Sequence, residues 1–182
     1  MDATAQLEVI PWKGNEERFE PEVLEHLYAD MESVDLLREV FHERVLSLSE
    51  FVHFANTELF SLAVDVERNQ IAGFGWLSDI AQPEGLLRGW AGLALLPHCW
   101  KPRISTELGR LCMASWFNLG FDLILGLTPE PNRLARLWTA KMGMRYVATI
   151  PGYTSYHGKV VDGMVCKITR EEFEARFGGS NG

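Results

Sequence analysis

The chain has 182 residues, is 47% hydrophobic and carries a formal net charge of −8. This length predicts one domain over residues 1–177, with residues 178–182 as a flexible tail. The acidic balance argues against a general nucleic-acid binder, and the lack of an apolar run of about 18 residues argues against a membrane span.

The three cysteines, Cys99, Cys112 and Cys166, have no CxxC spacing. A disulfide framework or a zinc site is therefore not expected, and a reduced setting is favoured. The first residues show no basic segment followed by a long apolar one, so no secretory signal is expected. Together these features predict a cytoplasmic protein.

The first quarter of the chain predicts one strand followed by helices. Residues 7–10 form the strand, and a helix opens at Glu20-Pro21 because proline is tolerated in a first helical turn. A second helical pattern of apolar residues runs from Val34 to Val45. Ser47 and Glu50 have capping-box spacing and predict a third, short helix.

The middle of the chain changes to strand-like patterns joined by short turns. Gly73 and Gly75 allow close backbone packing in the second of these strands. The third is apolar almost throughout, so we expect it to be covered on both faces. Short turns predict antiparallel pairing of the three strands, which span residues 59–66, 71–80 and 86–96.

The second half alternates helices and strands. After a loop at 97–102, a helix ends at Gly120. The following elements are a strand at 122–127, a helix at 132–142, a strand at 146–150, a loop or hairpin arm at 151–159, a strand at 160–168 and a helix at 170–177. Strand–helix–strand crossovers predict parallel pairs here. The fold class is therefore α/β (α+β), with a mixed sheet of about six to seven strands flanked by helices.

In the last third of the chain, Asn132, Ala135 and Gly143 fit the pattern N-x-x-A-x-x-L-x-x-x-x-G-F. Leu137 lies one place before the Leu of that pattern, Lys141 falls on one of its unspecified positions, and Met144 replaces its final Phe. This motif and the order of the elements resemble those of the GNAT superfamily of CoA-dependent N-acetyltransferases.

The resemblance implies acetyl-CoA or another acyl-CoA as donor and a small-molecule or peptide amine as acceptor. It places the pantetheine arm against backbone groups of Leu93, Leu95 and Leu96. The pyrophosphate is placed at the N-terminus of the next helix, where N–H groups and the helix dipole favour anions. Asn132 is placed to bond the pantetheine or to orient the loop that does.

The loop before that helix departs from the family pattern, P-x-x-(R/Q/W)-G-x-G-x-G/A. With Trp100 at the Arg/Gln/Trp position, the three glycine positions carry Lys101, Arg103 and Ser105, while Ile104 keeps the apolar pattern. Pro102 also lacks an N–H group. Two readings stay open: Lys101 and Arg103 replace backbone donors by charge-assisted bonds, or the loop is a solvated basic turn that no longer binds CoA.

The usual catalytic groups of the family are not in their places. The third middle strand has no Asp or Glu, and Trp138 occupies the position of the frequent Tyr acid; an indole cannot transfer a proton to a thiolate. Catalytic residues therefore stay unassigned. The leading hypothesis is a GNAT-like N-acyltransferase that acetylates a primary amine. The alternative is a catalytically inactive GNAT-fold binding or assembly protein, of the kind found among phage-borne proteins; a homodimer fits either hypothesis.

Overall fold

The computed structural model describes residues 6–12, 22–41 and 46–178, and these form one domain. Its strands are β1 Leu7–Pro11, β2 Leu59–Asp65, β3 Gln70–Ala81, β4 Arg88–Leu95, β5 Leu123–Pro129, β6 Arg145–Tyr156 and β7 Lys159–Thr169. Its helices are α1 Val23–Ser33, α2 Leu36–Val40, α3 Leu48–Thr57, α4 Pro102–Asn118, α5 Arg133–Lys141 and α6 Arg170–Phe177. The strands form one sheet in the order β1-β2-β3-β4-β5-β7-β6. The predicted mixed sheet with flanking helices is confirmed.

Helices cover the two faces of the sheet unequally. On the first face, here called the α1–α3 face, the first three helices bury a core against β2, β3 and β4 that includes Leu27, Phe51, Phe60, Phe74 and Ala94. On the opposite face, the α4 face, α4 and α6 bury Cys112, Trp116, Phe117, Ile124 and Phe173. The α1–α3 face of β5 carries half-buried leucines instead, so that face stays partly open there.

Local signals placed several elements correctly. The capping box at α3 is formed: Ser47 accepts from the Glu50 N–H, and the Glu50 carboxylate accepts from the Ser47 N–H. Antiparallel pairing of β2, β3 and β4 is confirmed. The close packing expected at Gly73 is also present, because a Cβ there would lie 2.2 Å from the Ala94 carbonyl oxygen.

The expectation of several parallel pairs in the second half is wrong. The described sheet contains one parallel pair, β4 with β5, whereas β5 and β6 each pair antiparallel with β7. The chain crosses through α5 to β6 at the sheet edge, and a tight turn then returns β7 into the space between β5 and β6. The crossover thus joins strands of like direction that are not neighbours.

Two further boundaries and the burial of one strand differ from the predictions. The helical pattern from Val34 breaks at once, because Asp35 has a left-handed φ of 55°, and α2 has five residues. Residues 151–159, expected as a loop or hairpin arm, continue β6 as far as Tyr156. β4 is half-buried along most of its length instead of covered on both faces. The predicted helix opening at Glu20-Pro21, the pattern's end at Val45 and the tail from residue 179 lie outside the described residues.

None of the helices in the described residues is long and apolar enough to cross a membrane.

Candidate functional site

The central feature is a fork between β4 and β5. The two strands pair in register from Arg88–Leu123 to Ala91–Gly126, and the pairing stops there. β4 nevertheless continues to Leu95 and β5 to Pro129. The strands therefore separate beyond Ala91 and Gly126 and leave a gap within the sheet.

The closed end of the fork is pinned by Asp122. The Asp122 carboxylate accepts from the Leu87 N–H at 2.9 Å, and the Asp122 N–H donates to the Leu87 carbonyl, also at 2.9 Å. Both backbone groups of Leu87 are thereby tied to the chain that enters β5. This anchor fixes where pairing begins, so that the separation is confined to the carboxyl end of β4.

The edge of β4 presents backbone groups to the gap. Leu96 donates its N–H to the Ala72 carbonyl at 2.9 Å and is thus turned toward β3. Since alternate residues of an antiparallel strand bond to the same neighbour, Leu93 and Leu95 direct their N–H and C=O groups away from β3 and into the gap. Of the three leucines predicted to contact a pantetheine arm, two thus face the gap through their backbone. Leu96 has its N–H already bonded and its side chain buried.

The N-terminus of α4 follows directly after this edge. Lys101 is the N-cap residue, and its own N–H donates to the Cys99 carbonyl. Ser105 donates its N–H to the Lys101 carbonyl at 3.0 Å as the first intrahelical bond. With proline at position 102, the first turn leaves the N–H groups of Arg103 and Ile104 free to bind an anion. The Lys101 and Arg103 side chains are exposed beside them, whereas that of Ile104 is buried.

Trp100 closes the loop between β4 and α4. Its indole N–H donates to the Leu95 carbonyl at 2.7 Å, although 63% of the residue is exposed. The carbonyl that faces the gap at the end of β4 therefore already has a partner within the protein.

Trp138 has a structural role. Its indole N–H donates to the Ser105 carbonyl at 2.9 Å, and its ring lies over Gly109, where a Cβ would come within 2.4 Å of the ring. The residue docks α5 on α4. Asn132 caps α5 by accepting from the Ala135 N–H at 3.0 Å. The side-chain oxygen of Asn132 is thus used by the helix, while its amide NH2 group has no bond in the described residues.

On the α1–α3 face, the aromatic rings of Trp76 and Phe41 cover β4 just beyond the fork. A Cβ at Gly92 would lie 1.9 Å from the Trp76 ring, so the indole rests directly on the strand. Phe41 stacks on Trp76 with ring centroids 5.7 Å apart. A ligand that reaches the fork from this face passes an aromatic surface.

A side-chain contact joins α2 to the β6–β7 turn on this same face. His157 lies in the tight β6–β7 turn, and its Nδ1 is 3.3 Å from Oε1 of Glu39 on α2, the helix that packs against β4. Tyr156 contacts the His157 ring. Burial, and then the charge of Glu39, raises the pKa of the Tyr156 hydroxyl, which stays protonated at neutral pH.

The cysteines do not supply a nucleophile. Burial raises the pKa of Cys112 to about 12 and that of Cys166 to about 11. Burial, together with the charge of Asp65, also raises the pKa of Cys99, the cysteine that lies in the loop beside the gap. All three thiols are free and stay protonated near neutral pH.

Sequence reasoning missed the contacts that join distant segments. The Asp122 anchor and the Glu39–His157 bridge carry no local pattern, because each depends on where the sheet brings the chain together. The Trp100 bond spans only five residues, but it depends on the way the loop folds back, which its composition does not predict. One signal was available: a glycine inside a strand, such as Gly92, is typical of a close approach by another group.

No family model and no curated protein sequence matches the chain. Solved structures do. The spermidine N-acetyltransferase of Vibrio cholerae, solved with CoA and spermine, has a TM-score of 0.77 at 13% identity, covering 93% of this chain and 99% of that one. RimJ of Mycobacterium smegmatis, solved with CoA-disulfide, has a TM-score of 0.74 at 12% identity, covering 91% and 83%. The ribosomal-protein-S5-alanine acetyltransferase of Vibrio fischeri has a TM-score of 0.72 at 13% identity, covering 95% and 97%. The chain therefore has the GNAT fold, as the resemblance of its sequence implied.

Proposed function

We propose that the protein is an N-acyltransferase that transfers an acetyl or related acyl group from acyl-CoA to a primary amine. The fork between β4 and β5 carries this proposal. A gap in a sheet leaves strand edges unpaired, which is unfavourable unless something else satisfies them. Here Leu93 and Leu95 offer such an edge next to a helix N-terminus. The CoA and acetyl-CoA complexes of proteins with this fold support a pantetheine ligand for the gap.

The residues of the gap fit a pantetheine arm better than they fit a pyrophosphate held by backbone alone. The arm needs hydrogen-bonding backbone groups, and Leu93 and Leu95 supply them. For the pyrophosphate, the first turn of α4 offers two N–H groups, so Lys101 and Arg103 have to supply charge-assisted bonds. In this proposal Trp100, Ile104 and Ser105, which belong to that loop and the first turn of α4, line the pyrophosphate site, and the Asn132 amide donates to the arm.

Catalysis in this proposal rests on positioning. When bound, acetyl-CoA would supply a thioester: the amine would form the amide bond, the C–S bond would break, and the proton lost by the amine would leave with the CoA thiol. The Leu95 N–H faces the gap and would donate to the thioester oxygen, whereas the Leu96 N–H is already bonded to Ala72. β4 carries no carboxylate, so an acceptor that arrives deprotonated needs placement more than a base. The protonated Tyr156 hydroxyl is a hydrogen-bond donor on the acceptor side.

The acceptor we propose is a diamine that reaches the fork from the α1–α3 face, with one ammonium group held on that face and its other amine deprotonated at the thioester. Trp76 offers an aromatic surface, and Glu39 offers a carboxylate held by His157. The spermine complex of the Vibrio cholerae enzyme is consistent with such a substrate. Glu39→Gln should raise KM for diamines about tenfold. Asp35→Asn, which removes an exposed carboxylate near the other end of α2, should leave KM unchanged.

The donor is tested by thermal unfolding with acetyl-CoA. Ligand at about 100 times its Kd stabilises the folded state by about 2.7 kcal/mol, a shift of several degrees for a domain of this size. Turnover is then followed by thiol release over a panel of primary amines. If millimolar acetyl-CoA leaves Tm unchanged, the proposal is wrong.

The alternative, an inactive binding or assembly protein, is favoured by one surface feature. Leu134 and Leu137 lie one turn apart on α5 and are 81% and 57% exposed. Exposed apolar pairs of this kind occur in interfaces, including those of homodimers. Light scattering would test it: Leu134→Glu with Leu137→Glu should convert an oligomer to monomers. A wild-type protein that is already monomeric and binds acetyl-CoA would contradict this alternative.

A further inference from the structure

We infer that the Trp100 side chain is an internal competitor for the strand edge that the pantetheine arm uses, so that donor binding has to displace the indole from Leu95. The inference rests on the proposed function, since it concerns the same gap. In this chain, whose loop lacks the family's glycines, the bond from Trp100 to Leu95 thereby lowers the affinity for the cofactor.

The geometry of the loop carries the inference. The Leu95 carbonyl is the last of β4 that faces the gap, and the Trp100 indole N–H holds it at 2.7 Å. The loop is folded back to permit this contact: Cys99 donates its N–H to the Leu96 carbonyl, Trp100 donates to Pro97, and Lys101 donates to Cys99. The indole is thus aimed at the strand edge by the backbone and reaches it from five residues away.

The indole is held weakly enough to be exchanged. It is 63% exposed, so burial of its ring contributes little to keeping it in place. The competing groups are alike in chemistry, because an amide N–H of a pantetheine arm and an indole N–H are both neutral donors to one carbonyl. The exchange replaces one hydrogen bond by another and frees the indole to move out of the gap.

Trp100→Phe tests the inference because it keeps an aromatic ring and removes the N–H donor. Calorimetric titration with CoA should show Kd lowered by about two- to twelvefold, the net effect of about 0.5–1.5 kcal/mol for one hydrogen bond. Trp12→Phe is the matched control: that indole N–H donates to Asn56 Oδ1, also at 2.7 Å, beyond β1 at the far edge of the sheet. CoA affinity should not respond to it.

A second readout follows the indole itself. In the CoA-free wild type, the 15N-labelled indole N–H of Trp100 should resonate as a hydrogen-bonded group, and saturating CoA should shift that resonance while the Trp12 resonance stays in place. If wild type binds CoA and Trp100→Phe binds it equally well or more weakly, the competitor is refuted while the proposed function stands. If wild type, Trp100→Phe and Trp100→Ala, all folded by circular dichroism, fail to bind CoA, the proposed function fails and this inference with it.

Discussion

Replacing Asn132 by Ala separates its two roles, capping α5 and contacting the cofactor. The side-chain oxygen accepts from the Ala135 N–H at 3.0 Å, and alanine leaves that donor unsatisfied. Loss of such a cap costs about 1 kcal/mol, within a range of about 0.5–2 kcal/mol. An unfolding entropy of about 2.1 cal/mol/K per residue amounts to about 0.38 kcal/mol/K for this chain, so the expected fall in Tm is about 1–5 °C, centred near 2.6 °C.

Asn132→Ser is the control that separates loss of the helix cap from loss of the contact with the cofactor. Serine caps helices about as well as asparagine, so Tm should stay within about 1 °C of wild type. Serine lacks the amide NH2 group, however, so any bond from that group to a pantetheine arm is lost in both variants. Scanning calorimetry without ligand measures the cap, and titration with CoA measures the contact.

Two results would refute the reasoning. If Asn132→Ser lowers Tm as much as Asn132→Ala, the hydrogen bond to Ala135 is not what stabilises α5. If CoA affinity falls in Asn132→Ala but not in Asn132→Ser, the asparagine acts on the cofactor through the order of the helix and not through its own amide.

Three further outcomes are expected. A Gly-to-Ala change normally stabilises a helix, but Gly109→Ala should destabilise the protein by about 1–3 kcal/mol because the new methyl group meets the Trp138 ring. In a Trp138→Ala background the same change should become stabilising. If denaturant titrations give a change in unfolding free energy of the same sign in both backgrounds, this packing is contradicted. The pKa of Glu172 is lowered because its carboxylate accepts hydrogen bonds from the Thr169 backbone N–H and from Arg145, which together outweigh the effect of burial. The ionised carboxylate therefore stabilises the fold above its unfolded pKa of about 4.3, and this stabilisation is lost as pH falls through the lower pKa of the folded state. Glu172→Gln should therefore flatten the dependence of stability on pH below about 5, whereas Glu171→Gln, an exposed neighbour, should keep the wild-type slope. Cys112 should react with thiol reagents no faster than the protein unfolds, because it is buried and its pKa is raised to about 12; rapid native-state labelling would show that the core opens locally.

How far the fold could be predicted depends on the range of the interactions involved. The capping box at Ser47 and the cap at Asn132 are formed by residues three positions apart, so their spacing in the sequence is sufficient. The insertion of β7 between β5 and β6 is not local: the crossover pattern predicts the direction of β6 but contains no information on which strand fills the space beside β5. That pairing is set by the tight turn after Tyr156, which returns the chain before another edge is available.

The site divides in the same way. Backbone features follow from the predicted elements, since any chain with this strand order brings Leu95 next to the start of α4. Side-chain contacts do not follow, because Glu39 and His157 are 118 positions apart and meet only after both sheet halves have formed. The indole of Trp100 stays exposed, so burial of apolar surface does not drive its contact with Leu95, and composition and periodicity do not predict that bond.

These two classes of feature bear differently on whether the protein is an enzyme. The missing glycines, the absent strand carboxylate and Trp138 are side-chain differences from the family pattern, and in an acyltransferase they would bear on cofactor affinity and proton transfer. The fork is a property of the backbone. A protein that no longer used the gap would gain about 0.5–1.5 kcal/mol for each backbone bond that closing it restores, yet β4 and β5 part while Asp122 still anchors their closed end. Trp100 satisfies one of the edge carbonyls and leaves the backbone groups of Leu93 facing the gap, so a protein-internal partner accounts for part of the open edge and the rest is open to a ligand or to water. An inactive scaffold would be expected to keep the indole bound to Leu95 at all times, whereas an acyltransferase requires it to exchange, and for that reason the behaviour of this one hydrogen bond in the presence of CoA distinguishes the two functions.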